Sequence, residues 1–150
     1  MRGSESLSRP YRAALLTVTL AAVLGTLGCG RGPKVYPVEG QVLVGGKPAP
    51  RATVTFHPVR EAEGPVVRPT AQADEQGKFQ LTTFQKGDGA PAGDYKVTVS
   101  LYLATRRSPQ EDPTPVNYLP ERYSQADASG LKATVSPGDN RIDPFRLAGR

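Results

Sequence analysis

The side chains able to do chemistry in this 150-residue chain are few and scattered. There is one cysteine, Cys29, one histidine, His57, and no tryptophan. One thiol excludes an internal disulfide and a cysteine-based zinc site, because each needs several. One imidazole excludes the usual histidine-rich zinc, copper and non-haem iron sites. His57 precedes Pro58 at the end of an alternating run. No serine or cysteine motif accompanies it as a nucleophile, so a structural or neutral strand-end role is expected. Asp74, Glu75, Asp88 and Asp94 carry oxygens of the kind calcium takes. Their spacing lacks the alternating ligands and closing glutamate of an EF-hand loop, which leaves turn capping as the expected role. Gly45-Gly46 and Gly87-Asp88-Gly89 are not phosphate loops, since neither joins a strand to a helix start with a lysine. Phe84, Tyr102, Tyr118 and Tyr123 are candidates for exposed aromatics that stack on a sugar, although tryptophan usually does this. Tyr118 and Tyr123 are expected instead to pin a long loop onto the domain. No catalytic, cofactor-binding or metal-binding set emerges, and the expectation is that the chain is not an enzyme and takes no cofactor.

Cys29 is the exception, because of what precedes it. Arg2, Arg9 and Arg12 make a basic leader opposed only by Glu5, and an apolar stretch runs from Ala13 to Leu24. A basic region, a short apolar region and small residues before a cut define a secretory signal peptide. The apolar run is short for a membrane span, which wants roughly 20 residues; the alternative is an uncleaved N-terminal anchor helix. Thr26-Leu27-Gly28-Cys29 resembles a bacterial lipobox, in which the peptide is cut before a cysteine whose sulfur takes diacylglycerol. Thr26 stands where that motif usually has leucine. The resemblance implies lipidation at Cys29 and attachment to a membrane there, which also disposes of a thiol otherwise exposed in an oxidising compartment. Gly30 is not aspartate, so nothing points to inner-membrane retention. Two or three acyl chains anchor a protein stably, where one does not.

The formal charge is +5. Loss of residues 1–28 removes three of 19 basic and one of 14 acidic side chains, leaving 16 and 13, a net +3. No basic cluster exceeds Arg106-Arg107, so no nucleic-acid partner is expected.

The elements that must carry these residues read as strands. Residues 29–36 form a tether with Gly32 and Pro33. Val38–Val44 is β-branched and ends at the turn signal Gly45-Gly46-Lys47-Pro48. Ala52–His57 alternates, with Val54 and Phe56 on one face. A proline-bearing loop from Pro58 to Pro69 follows. Thr70–Ala73 and Lys78–Thr83 read as a hairpin about Asp74-Glu75-Gln76-Gly77, in which Asp74 caps the turn and Gly77 takes a positive φ. Tyr95–Leu101 puts Tyr95, Val97, Val99 and Leu101 on one face. The stretch Tyr102–Gly130 has four prolines and little periodicity. Its residues 105–115 have nothing to bury and are expected to be mobile. Tyr118, Leu119 and Tyr123 are expected to cover the domain. Leu131–Val135 and Ile142–Leu147 resume strand character, and Pro144 places the last at an edge or a break. No window after residue 28 is helical. Seven short strands between turns predict an all-β, antiparallel Greek-key sandwich.

Five motifs in order strengthen that reading: Val38-Glu39-Gly40-Gln41-Val42, Gly46-Lys47-Pro48, Ala52–Phe56, Asp74–Phe79 and Pro91–Val97. Together they resemble the carboxypeptidase regulatory-like domain, a transthyretin-like (prealbumin-type) sandwich common in small bacterial surface lipoproteins. Together with the leader, this gives the expected organisation: a signal peptide with its signal helix at 1–28, a tether at 29–36 and, as the resemblance implies, a sandwich at 37–148. In zinc carboxypeptidases this domain does no chemistry. The transthyretin-fold enzyme that hydrolyses 5-hydroxyisourate uses histidines, an arginine and a C-terminal Tyr-Arg-Gly-Ser, whereas this chain has only His57 and ends Leu147-Ala148-Gly149-Arg150. The implied role is a non-enzymatic lipoprotein of the cell envelope, structural or binding an envelope protein or glycan. The alternative is an accessory subunit that docks on an envelope transporter or protease through residues 102–130.

Overall fold

The computed structural model describes residues 32–60, 66–105, 110 and 112–149. The signal segment, its expected helix and Cys29 lie outside the described residues, as do 106–109 and 111 of the stretch expected to be mobile. Among the described residues no helix is long and apolar enough to cross a membrane.

The chain is all-β. In order the strands are β1 (Val35–Tyr36), β2 (Val38–Val44), β3 (Lys47–Pro48), β4 (Thr53–Pro58), β5 (Thr70–Gln72), β6 (Lys78–Gln80) and β7 (Ala90–Pro91). They continue as β8 (Gly93–Ser100), β9 (Tyr102–Thr105), β10 (Thr114–Asn117), β11 (Leu131–Val135), β12 (Asn140–Arg141) and β13 (Phe145–Leu147). One four-stranded sheet runs β11-β8-β4-β5, antiparallel throughout. A second is built around β2. Residues Leu43 and Val44 pair with both β3 and β13, so those two strands occupy opposite edges of β2.

Side-chain alternation decides which faces meet. Val54 and Phe56 of β4, and Tyr95, Val97 and Val99 of β8, are buried, as are Val38 and Val42 of β2. Strand side chains alternate faces with period two, so each row is apolar on one face only. The rows join one core. Phe145 of the second sheet meets Phe56 of the first edge-on at 6.5 Å, and Phe56 lies 5.4 Å from Tyr95. Phe79 stacks on Phe145 at 6.1 Å. A side-chain carbon on Gly40 would come within 2.6 Å of the Phe79 ring, so glycine leaves the space that the ring fills. Two sheets face to face over an aromatic core are consistent with a sandwich.

Three expectations need correction. The sandwich is not wholly antiparallel: β12 and β13 run parallel to β2. After β11 the chain turns at Ser136–Asp139 and crosses to the other sheet, entering beside β2 in the same direction. Asn140 fixes this turn, accepting the Ser136 N–H at 2.8 Å and donating to the carbonyls of Ser136 and Gly138. Pro144 sits in the break between β12 and β13, at an edge. Next, the turn about Asp74 forms as expected, but its arms belong to different sheets. Asp74 Oδ1 accepts the N–H groups of Gln76 and Lys78, and Gly77 has φ 72°. Yet β5 pairs with β4 and β6 pairs with β2, and the arms meet again only at Thr70 and Thr82. Finally, Tyr102–Gly130 is not an aperiodic loop. It holds the antiparallel hairpin β9–β10 and a 3₁₀ turn, Glu121–Ser124.

Candidate functional site

His57, at the end of β4, bonds its Nε2 to the Thr98 hydroxyl of β8 at 2.9 Å. Burial lowers its pKa, and the nearby Arg68 charge lowers it further. Thr98 is the partner that sequence reasoning missed. It is polar at a buried position on the face of β8 away from the core, and only the β4–β8 register brings it to His57.

The four acidic candidates do not converge. Among the described residues no three His, Cys, Asp or Glu side chains are grouped to hold a metal ion. Asp74 caps its turn. Asp94 accepts the Thr134 hydroxyl at 2.7 Å across the β8–β11 ladder. Asp88 organises a loop: its Oδ1 accepts the Thr83 N–H at 2.7 Å, and its Oδ2 accepts those of Phe84 and Gln85 at 2.9 Å. Desolvation pushes the Asp88 pKa up, but the N–H donors of Thr83, Gln85 and Phe84 outweigh it and hold the pKa below the usual carboxylate range. Charge-assisted bonds to backbone N–H are the strong kind.

The aromatic candidates split. Tyr123 is buried and pins the C-terminal tail. Its hydroxyl accepts the Ala148 N–H at 3.1 Å and a guanidinium N–H of Arg122 at 2.9 Å, and both bonds lower its pKa. Leu119 is fully buried. Tyr118, expected to pin the loop as well, is 45% exposed. Its side chain lies on the outside, and the covering is done by Leu119 and Tyr123. Phe84 and Tyr102 are also exposed, at 55% and 58%.

What brings polar groups together is the outer face of the β2 sheet. A groove of about 1000 Å³ lies there, lined by Glu39 and Gln41 of β2, Lys78 and Gln80 of β6, and Arg141 of β12, among others. Glu39, Gln41, Lys78 and Gln80 are the residues that alternate with the buried Val38, Val42 and Phe79. Arg141 donates to Glu39 through Nε at 2.7 Å and Nη2 at 2.6 Å. Gln41 donates its amide to the Gln76 carbonyl at 2.8 Å. The groove also reaches Gln72, Lys86 and Asp143. Amides and both signs of charge line it, giving it donors and acceptors without a dominant field. Such a surface suits a polar ligand of mixed hydrogen-bonding character. Alternation announces a polar outer face, but that pattern is also the default for a solvated one, so sequence did not single it out.

No protein-family model matches the chain, and no curated protein matches it. Solved structures do match. One is a 9R-lipoxygenase from Cyanothece PCC8801, at 14% identity and a TM-score of 0.40, covering 91% of this chain and 20% of that one. Another is an (S)-allantoin synthase, at 16% identity and a TM-score of 0.41, covering 77% of this chain and 41% of that one. A third is the dioxygenase domain of a dioxygenase carbohydrate-binding protein fusion from Streptomyces sp. SirexAA-E, at 18% identity and a TM-score of 0.36, covering 80% and 83%. The chain thus spans well under two thirds of the first two. All three are enzymes, so the expectation that the chain is not an enzyme is corrected: it does not stand. At these scores the likeness gives the chain no reaction, substrate or cofactor of its own.

Proposed function

We propose that the chain is a lipid-anchored lipoprotein of the bacterial cell envelope whose β-sandwich binds a polar ligand, a glycan or an envelope protein. The observation that carries the binding role is the groove over Glu39, Gln41, Lys78, Gln80 and Arg141. The anchor rests on the basic leader, the apolar run and the lipobox-like Leu27-Gly28-Cys29. On this reading the fold is a transthyretin-like Greek key of seven principal strands, β2, β4, β5, β6, β8, β11 and the β12–β13 pair. The carboxypeptidase regulatory-like resemblance supports that topology. Fractionation tests the anchor: Cys29→Ala should release the protein from membranes, and identical detergent partitioning of both forms refutes it. A glycan array with wild type and Gln80→Ala tests the groove; retention of a bound glycan by the variant at full strength refutes that placement.

A second reading, an accessory subunit docking through residues 102–130, is favoured by the β9–β10 hairpin. Leu103 and Val116 pair across it and both are exposed. Two strands alone are marginally stable in water, so a partner that covers them would stabilise both. A stoichiometric envelope protein captured by wild type but lost with Leu103→Asp supports this reading, and equal capture refutes it.

A further inference from the structure

The chain enters the domain at β1, which is held by β7, the strand that follows the exposed loop carrying Phe84. Val35 and Tyr36 pair with Pro91 and Ala90 of β7. The Tyr95 hydroxyl donates to the Pro91 carbonyl at 2.7 Å and fixes β7 in turn. Just before β7, Gly89 packs so closely on the chain that a side-chain carbon there would overlap the Tyr36 carbonyl and come within 2.8 Å of Pro37 Cα. Gly89 closes the loop 83–89, which Asp88 holds rigid from within. Thr83 tightens it, donating its hydroxyl to the Gly89 carbonyl at 2.6 Å. Phe84 projects from this braced loop 55% exposed. Lys86 is exposed two residues on, and Lys34, exposed at the chain's entry, lies over the Tyr36 ring at 5.3 Å. Neither lysine has an ion-pair partner among the described residues.

We propose that the Phe84 loop is a second membrane contact, with the Phe84 ring in the bilayer interface and Lys34 and Lys86 at the headgroups. The proposal rests on the lipid anchor at Cys29 and says which end of the domain that anchor turns toward the bilayer. From Cys29 to Val35 the chain reaches at most about 22 Å, at roughly 3.3–3.6 Å per residue. The tether length therefore limits how far the β1 end of the domain can stand from an anchored Cys29. An exposed aromatic ring on a loop that carries Lys86 and closes on the strand just after Lys34 has the composition of an interfacial contact, apolar body in and cations at the headgroup level. A rigid loop makes this contact without losing conformational freedom on binding. The β9–β10 hairpin lies at the other end of β8, whose eight residues span about 26 Å at roughly 3.3 Å each. Its exposed Tyr102 belongs to that hairpin.

The chain contains no tryptophan, so Phe84→Trp and Tyr102→Trp each carry a single reporter. The full acylated protein is reconstituted in phosphatidylethanolamine–phosphatidylglycerol vesicles with and without brominated acyl chains. Intact mass reports acylation. The Phe84→Trp emission should shift to the blue and lose more than half its intensity to the brominated lipid, while that of Tyr102→Trp stays within a tenth of its unquenched value. Acylated protein with no quenching at 84, or with equal quenching at both positions, overturns the loop contact and leaves the anchor standing. A mass without acyl groups overturns both.

Discussion

Gly89 and Gly46 both have positive φ, 94° and 81°, but they stand in opposite surroundings. A Cβ on Gly46 meets nothing within 4 Å, whereas one on Gly89 overlaps the Tyr36 carbonyl and crowds Pro37. Alanine at either position bears the left-handed penalty of an L-residue, about 1–2 kcal/mol. At Gly89 the neighbour is backbone, which has no rotamer to move, so β1 must shift or detach. Overpacking of this kind costs a further ~1–3 kcal/mol. The shift also strains the 2.9 Å bond from the Gly89 N–H to the Leu81 carbonyl, worth about 0.5–1.5 kcal/mol. The expected loss is about 2.5–6.5 kcal/mol for Gly89→Ala against about 1–2 kcal/mol for Gly46→Ala. For a domain of this size each kcal/mol lowers the melting midpoint by roughly 3–6 °C. Thermal unfolding followed by circular dichroism measures both variants. Hydrogen exchange at the Tyr36 amide separates local detachment of β1 from global loss. Equal midpoints with unchanged exchange at Tyr36 would refute the close approach.

Phe79→Ala should cost about 3–5 kcal/mol in urea titrations, because it empties the stack on Phe145 and the space over Gly40. Gly40→Ala should destabilise the wild type and be tolerated in the Phe79→Ala background; additive losses would show that the two do not share that space. His57 has a folded-state pKa below its ordinary 6.5, through burial and then Arg68. The unfolded chain therefore binds the proton first, and stability is full above pH 6.5 and falls as pH drops from there toward the folded pKa. His57→Gln should flatten that slope, and an unaltered slope in denaturation at stepped pH would count against it. Tyr123→Phe removes the acceptor for the Ala148 N–H and should cost about 1 kcal/mol with faster exchange at Ala148; protection equal to wild type would refute the tail lock.

Local chemistry was legible in the sequence and long-range partnership was not. The rows Val54–Phe56 and Tyr95–Val97–Val99 were readable because burial on one face imposes period two on the residues themselves. The Asp74–Gly77 turn was readable because a capping carboxylate and a left-handed glycine are both local requirements. The fate of its arms was not, since β5 and β6 are three residues each and either could pair with several strands. What separates them is that the turn is fastened to β2. The Val42 N–H donates to the Gly77 carbonyl at 2.8 Å, and a Cβ on Gly77 would come within 2.5 Å of the Val42 carbonyl. The β9–β10 hairpin escaped notice because its side chains are almost all exposed, and a ladder that buries nothing leaves no apolar period. The groove escaped for the same reason in reverse, as polar residues on an outer face look alike whether they hold a ligand or water. Gly89 shows the limit most plainly. Gly87-Asp88-Gly89 has the composition of a flexible loop, yet Asp88 braces it and Gly89 lets it close on the chain's point of entry. A glycine needed for its φ can be inferred from its neighbours in sequence, whereas one needed for a close approach is defined by a partner strand that only the fold supplies.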